Sequence, residues 1–465
     1  MANTDEVKPF DELLNSLEIR EDDPTSGDEN EFAAVLANID LQQLSSVASQ
    51  VRRSTSPGTT DKLPSVGASF EGSYNILFPL DFEDGTRWLA KVPINGVPGK
   101  WDQPSADSMI SEVNTMRLLK RETTIPLPEV FSFCSTTEND TKCPYILMSF
   151  ISGKPLYDVW FGQHLGGVDM ETLHARRMRA LNDIGAAMAQ LGKFTFEASG
   201  SPKFDEHGRP SGVGPVRCID HTAMLERLKS DDDDSDDPLY VEAPTSEDPQ
   251  DHYNFFLDLY PGKAPFAKGR TLVLKELIKW IPEPANDEPF VLTHPDFDIQ
   301  NFIVSEDGQL RGIIDWDGVF CSPRSYGNEA YPSWLTRDWD PMMYGYQKSM
   351  DEGEEPDGCW EDSPETLKRY RIAYDEIMSK FRESDASMNL TRMSLVTENL
   401  FIAACDPLCR SGILHKIIDE ISTVLELPER LDFTYLAEEF ADGEIDYEVW
   451  ATLKRGMEKL LQNAQ

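Results

Sequence analysis

Cysteine is scarce in this sequence, with seven in 465 residues, and they are odd in number and scattered (Cys134, Cys143, Cys218, Cys321, Cys359, Cys405, Cys409). That pattern excludes a disulfide-framed secreted domain and points to reduced thiols in the cytoplasm. Cys405 and Cys409, with His415 nearby, lack a second ligand cluster; their i, i+4 spacing predicts two thiols packed on one helix face rather than a metal site. Long apolar runs are also missing: no stretch reaches the roughly 18 residues that a membrane helix needs. The opening MANTDEVKPFDELLNS lacks a basic and then apolar stretch, so no signal peptide is expected. Basic charge is short as well. Forty-three Lys and Arg stand against 83 Asp and Glu, a formal net charge of −40. Such a field disfavours nucleic acid and anionic membranes as partners and favours cations, divalent metals among them. No internal repeat is visible.

The segments that are present organise the chain. Residues 1–60 are acidic and polar and end in RRSTSPGTTDK; they read as a disordered or docking tail, with short apolar patches at Leu13, Leu14 and Leu17 and from Phe32 to Leu41. Residues 61–150 are strand-rich. FPLDFEDGTRWLAKV alternates around Asp84-Gly85 as a hairpin does, SMISEVNTMRLLKR follows as one helix, and PYILMSFISG reads as a buried strand. Residues 151–465 are mainly helical, with Met178, Leu181, Ile184, Met188 and Leu191 forming an apolar stripe. The acidic run at 229–251 reads as a solvated insertion between helices. The fold class expected is α+β: a small antiparallel β-rich lobe carrying one helix, then a larger, mainly helical lobe.

VLTHPDFDIQNFIVSEDGQLRGIIDWD, residues 291–317, places Asp296 in a His-Pro-Asp loop, Asn301 five residues on, and Asp315 after a short hairpin at Asp307-Gly308. Phosphoryl transfer asks a protein mainly to position groups and neutralise charge. It needs a carboxylate for the attacking hydroxyl, hard oxygen ligands for magnesium, a cation on the phosphates and a backbone turn able to approach them. Asp296 fits the first need; Asn301 and Asp315, with Asp317 as an additional ligand, fit the second. Lys91, on the second strand of the Asp84-Gly85 hairpin, fits the third, with Glu112 on the following helix to fix its direction. GASFEGSYN, with Gly67 and Gly72, is the candidate phosphate-covering turn. Singly, each has an ordinary reading as a cap, a surface lysine, a solvated carboxylate or a turn glycine; their joint order carries the argument.

With LTHPDF, QN and IIDWD in that order, and RDWDPMMY after them, the chain resembles the aminoglycoside phosphotransferase and choline kinase-like family of the protein-kinase-like fold, large fungal members in particular. The resemblance covers residues 65–345. It implies ATP or GTP as donor, magnesium as cofactor, and a nucleotide base held by the backbone of Ser149, Phe150 and Ile151. It also implies Asp296 as catalytic base, Asn301 and Asp315 as metal ligands, and Lys91 with Glu112 as phosphate anchor and partner. Pro295 stands where protein kinases carry an arginine, and Trp316-Asp317 where they carry Phe-Gly. Both departures point to a small-molecule acceptor rather than a protein.

Tyr331, Trp334, Asp338, Trp339 and Asp340 bring aromatic faces and carboxylates together and suit a cationic amine acceptor; packing and helix capping are the ordinary alternative. A pseudokinase that binds nucleotide or a partner without turnover is the competing reading of the whole chain.

Overall fold

Apolar residues alternate on both sides of Asp84-Gly85 and build a hairpin around which the first part of the chain is assembled. In the computed structural model, which describes residues 32–55, 62–228, 238–282, 288–382 and 388–463, two helices, α1 (Ala33–Asn38) and α2 (Leu41–Thr55), precede a sheet. Its strands are β1 (Ser65–Val66), β2 (Phe70–Glu71), β3 (Asn75–Asp81), β4 (Arg87–Pro93), β5 (Val130–Cys134) and β6 (Tyr145–Ser149), with helix α3 (Gln103–Glu122) between β4 and β5. The order is β1-β3-β4-β6-β5, with β2 also on β3. All pairs are antiparallel, and β3 meets β4 from Asn75 opposite Pro93 to Asp81 opposite Arg87. Gly85 turns the hairpin at φ +84°, a conformation that favours glycine.

The pleat sorts the side chains of β4. Trp88, Ala90 and Val92 face one side, where Phe32, Val35, Leu44 and Ala48 of the amino-terminal helices join the same apolar cluster as Ile76 and Phe78. Leu89 and Lys91 face the other side, where Met109 and Val113 of α3 pack against Ile146. Residues 32–55 of the expected tail are thus built into the core of the sheet. Arg52 of α2 bonds the Asp84 carboxylate and donates to Thr86 Oγ1 at 3.0 Å, with its guanidinium 4.1 Å above the Phe82 ring. Residues 1–31, including the patch at Leu13, lie outside the described residues.

The chain divides into two compact units: residues 1–120, 126–180 and 299–314 in the first, and 121–125, 181–298 and 315–465 in the second. In the first unit, Phe302–Val304 pairs with Leu310–Ile313 on one side and Lys154–Pro155 on the other. Gly312 packs closely there: a Cβ would stand 2.2 Å from Ile151 Cδ1, and the Ile151 side chain would have to move aside.

In the second unit, Phe290–Thr293 is the central strand between Phe320–Pro323 and Thr195–Phe196. Helices Pro249–Leu259, Pro265–Lys279, Pro364–Met378, Leu390–Cys405, Arg410–Val424, Phe433–Asp442 and Tyr447–Asn463 make up most of the rest. Asp248, Ser363, Asn389 and Asp432 cap four of them through their side chains. Two expectations need correction. Cys405 and Cys409 do not share a helix: Asp406-Pro407 ends one helix at Cys405, and Cys409 caps the next. The acidic insertion is not solvated throughout, because Tyr240–Ala243, carrying apolar residues after the acidic run, forms a strand with Val216–Ile219; residues 229–237 lie outside the described residues.

Candidate active site

Strand pleat and helix period together bury one charged pair in the first unit. Lys91 shares its face of β4 with Leu89, and Glu112 shares the buried stripe of α3 with Met109, Val113 and Met116. Lys91 Nζ donates to Glu112 Oε1 at 2.7 Å, with 7% and 5% of the two side chains exposed. Two charges taken so far from water are each other's neutralisation.

The other sequence candidates of this unit lie on its strand ends. Gly67 donates its amide to the Pro79 carbonyl, and Gly72 donates to the Asn75 carbonyl, closing an exposed turn between β2 and β3. Ser149 ends β6 and is tied to Glu129 in both directions, by its own amide to the Glu129 carbonyl and by its Oγ from the Glu129 amide. Phe150 and Ile151 follow, and Arg87 lies 5.5 Å from the Phe150 ring centroid. Asn301 is buried at the foot of the Phe302–Ile313 hairpin, where its carbonyl accepts from the Ile314 amide. Asp315 is the next residue in the chain.

The catalytic-loop candidates of the second unit are organised around His294. Its ring is buried, 4.7 Å from Trp316 at an interplanar angle of 70°, and Nδ1 accepts from the Asp296 amide at 3.2 Å. Nδ1 is therefore the unprotonated nitrogen in this arrangement. The His294–Trp316 contact ties the Asp296 loop to the Asp315-Trp316-Asp317 turn. The two aspartates of HPDFD are sharply different. Asp296 is exposed, whereas Asp298 is largely buried and accepts from Arg337 Nη2 at 2.7 Å. Of the two, Asp296 is the one exposed to solvent. Asp315 and Asp317 are exposed on either side of buried Trp316, and Asp315 adopts φ +58°, in the left-handed region that asparagine and aspartate tolerate better than other side chains. Among the described residues, no group of three or more His, Cys, Asp or Glu side chains is arranged to hold a metal ion.

The segment expected to receive a cationic acceptor turns inward. Asp338 is bound by Arg371 at 2.6 and 3.1 Å, Asp340 accepts from the Met342 amide, and Tyr331, Trp334 and Trp339 are buried. Packing and capping, the ordinary alternative, describe it. Sequence reading missed Arg337, Ser333 and Glu398 as neighbours of the loop. Ser333 donates both its amide and its Oγ to the Phe297 carbonyl at 3.0 Å. Glu398, on Leu390–Cys405, has a buried Oε2 without a hydrogen-bond partner among the described residues. Burial, with the charges of Asp298 and Asp296 adding to it, pushes its carboxyl up to about 8.

Comparison with known proteins gives three kinds of likeness. The model of the phosphotransferase enzyme family, APH, matches residues 83–326. A subtelomeric hrmA-associated cluster protein of Aspergillus fumigatus is 33% identical over 344 residues, 60% of this chain and 62% of its own. The mitochondrial protein altered inheritance of mitochondria 9 of Kluyveromyces lactis is 22% identical over 362 residues, 68% of this chain and 57% of its own. The chain thus spans about three fifths of the length of these curated relatives. Among solved structures, a putative aminoglycoside phosphotransferase from Ralstonia eutropha aligns over 92% of this chain and 100% of its own at 15% identity, with a TM-score of 0.43.

Proposed function

Because this chain belongs to the phosphotransferase enzyme family, we propose that it transfers the terminal phosphate of ATP or GTP to a hydroxyl of a small molecule in the cytoplasm. The observation that carries the reading is the buried Lys91–Glu112 pair. A buried ion pair is poor at adding stability, so its retention on a strand beside an exposed turn argues for a task. In this reading Glu112 aims the Lys91 ammonium at the donor phosphates. The turn that carries Gly67 and Gly72 covers the phosphates with its backbone, and the backbone of Ser149, Phe150 and Ile151 holds the base.

Asp296 accepts the proton of the acceptor hydroxyl as its oxygen forms the new bond to phosphorus and the nucleoside diphosphate leaves. The exposure of Asp296 and the engagement of Asp298 by Arg337 support this choice between the two carboxylates. The donor set fits magnesium: Asn301 and Asp315 offer a carboxamide and a carboxylate oxygen, hard ligands of the few-from-protein kind that magnesium accepts when phosphates and water complete its shell. When bound, magnesium supplies neutralisation of the charge on the phosphates.

The test is transfer of label from γ-labelled ATP and GTP to a panel of hydroxylated sugars, amino sugars and choline-like amines. Asp296→Ala is expected to lower transfer by about 10²–10⁴-fold while nucleotide binding persists. Full transfer by Asp296→Ala contradicts its role as base. Nucleotide binding without transfer to any acceptor favours a binding module without turnover.

A further inference from the structure

The family match ends at residue 326, yet the two residues that follow Asp296 are held from beyond it. The carbonyl of Phe297 receives both the amide and the hydroxyl of Ser333 at 3.0 Å. The carboxylate of Asp298 receives Arg337 Nη2 at 2.7 Å. The ring of Phe297 meets that of Trp334 at 6.3 Å. Short-range structure places these groups: Ser333–Leu335 and Arg337–Trp339 are consecutive 3₁₀ turns, so Ser333 and Arg337 both reach one stretch of loop.

The holding segment is itself fixed. Arg371, buried in helix Pro364–Met378, donates to the Leu335 carbonyl at 2.6 Å and grips Asp338 with two bonds. Arg337 also donates to Glu361 at 2.7 Å, which makes it a bridge between two mostly buried carboxylates. Desolvation opposes its charge, but Asp298 and Glu361 more than offset this and hold the guanidinium firmly protonated. One cation held between two mostly buried carboxylates is a poor arrangement for stability alone. Its best-attested use is to impose one register on the segments it joins.

We propose that Arg337 is a positioning residue for Asp296, acting through Asp298, with Ser333 completing the clamp through the Phe297 carbonyl. The role rests on the reading of Asp296 as base. The clamp fixes the two residues after Asp296, while the bond from the Asp296 amide to His294 Nδ1 fixes its own backbone. The Asp296 carboxylate is then held in place through its own backbone and the two residues after it, on an exposed side chain.

The test uses the full chain in wild-type, Arg337→Met, Arg337→Lys and Asp298→Asn forms, with two readouts. Hydrogen exchange of the amides of residues 294–301 needs no acceptor and no turnover. Arg337→Met is expected to speed it by about tenfold or more, leaving helix Pro364–Met378 unchanged, and Arg337→Lys to restore part of the protection through one charged bond. Asp298→Asn keeps the Arg337–Glu361 bond and the fold, and is expected to loosen the same amides. The second readout is magnesium-dependent hydrolysis of ATP with water as acceptor, in which these variants should lose about 10²-fold in kcat at unchanged KM for ATP. Unchanged exchange at 294–301 in Arg337→Met and Asp298→Asn, or exchange raised equally throughout the chain, overturns the proposal. Failure of the base reading looks different: hydrolysis by Asp296→Ala equals that of wild type, while the exchange result stands.

Discussion

Lys91 Nζ lies 2.7 Å from Glu112 Oε1, and more than nine tenths of both side chains is buried. Removing one member takes away the opposite charge that the other faces in the interior. Lys91→Met is therefore expected to destabilise the protein by about 3–5 kcal/mol, whereas Lys91→Met combined with Glu112→Leu should regain most of that loss. Urea unfolding of the three proteins checks the stability part. Nucleotide titration of the double variant checks the function: binding should remain lost although the fold has recovered.

The amino-terminal helices are expected to behave as core. Leu44, fully buried in the cluster it shares with β3 and β4, should cost about 2–5 kcal/mol on Leu44→Ala, as other buried leucines do. A loss of unfolding free energy below about 0.5 kcal/mol by urea titration would mean that α2 only rests on the sheet.

Glu398 gives a pH signature. Folding raises its pKa from 4.5 to about 8, burial first, then the charges of Asp298 and Asp296. The native state holds this proton more tightly than the unfolded chain does. The group's contribution is therefore fully present below about pH 4.5 and is lost as pH rises to about 8. Glu398→Gln keeps the shape and removes the titration, so stability should fall less over that interval in the variant. Urea midpoints of both proteins at intervals across it check the slope difference.

Much of this site is short-range and therefore legible in sequence. Strand alternation around Asp84-Gly85 places Lys91 opposite the Trp88 face, helical spacing places Glu112 with Met109 and Val113, and the order of Asp296, Asn301 and Asp315 follows one loop and one hairpin. What escaped depends on distant partners. Arg337 and Asp298 are brought together by turns with no periodic signal, and nothing local tells an arginine which carboxylate it will meet. The same blindness made Asp338 look available when Arg371 holds it. Residues 32–55 looked like tail because their acidic, polar neighbours dilute the apolar residues, though Val35, Leu44 and Ala48 keep a buried face. Tyr240–Ala243 was hidden in the same way behind the aspartates before it.

The most direct measurement is calorimetric titration of the full chain with ATP and GTP, with and without magnesium, in wild-type and Asp315→Ala forms. Asp315 is exposed, so its alanine variant should fold, at a cost of about 1 kcal/mol for alanine in a left-handed backbone at φ +58°, and should lose the magnesium-dependent part of nucleotide binding. Binding is expected to need both magnesium and Asp315. Folded wild-type protein that binds neither nucleotide, or that binds equally well without Asp315, would contradict it.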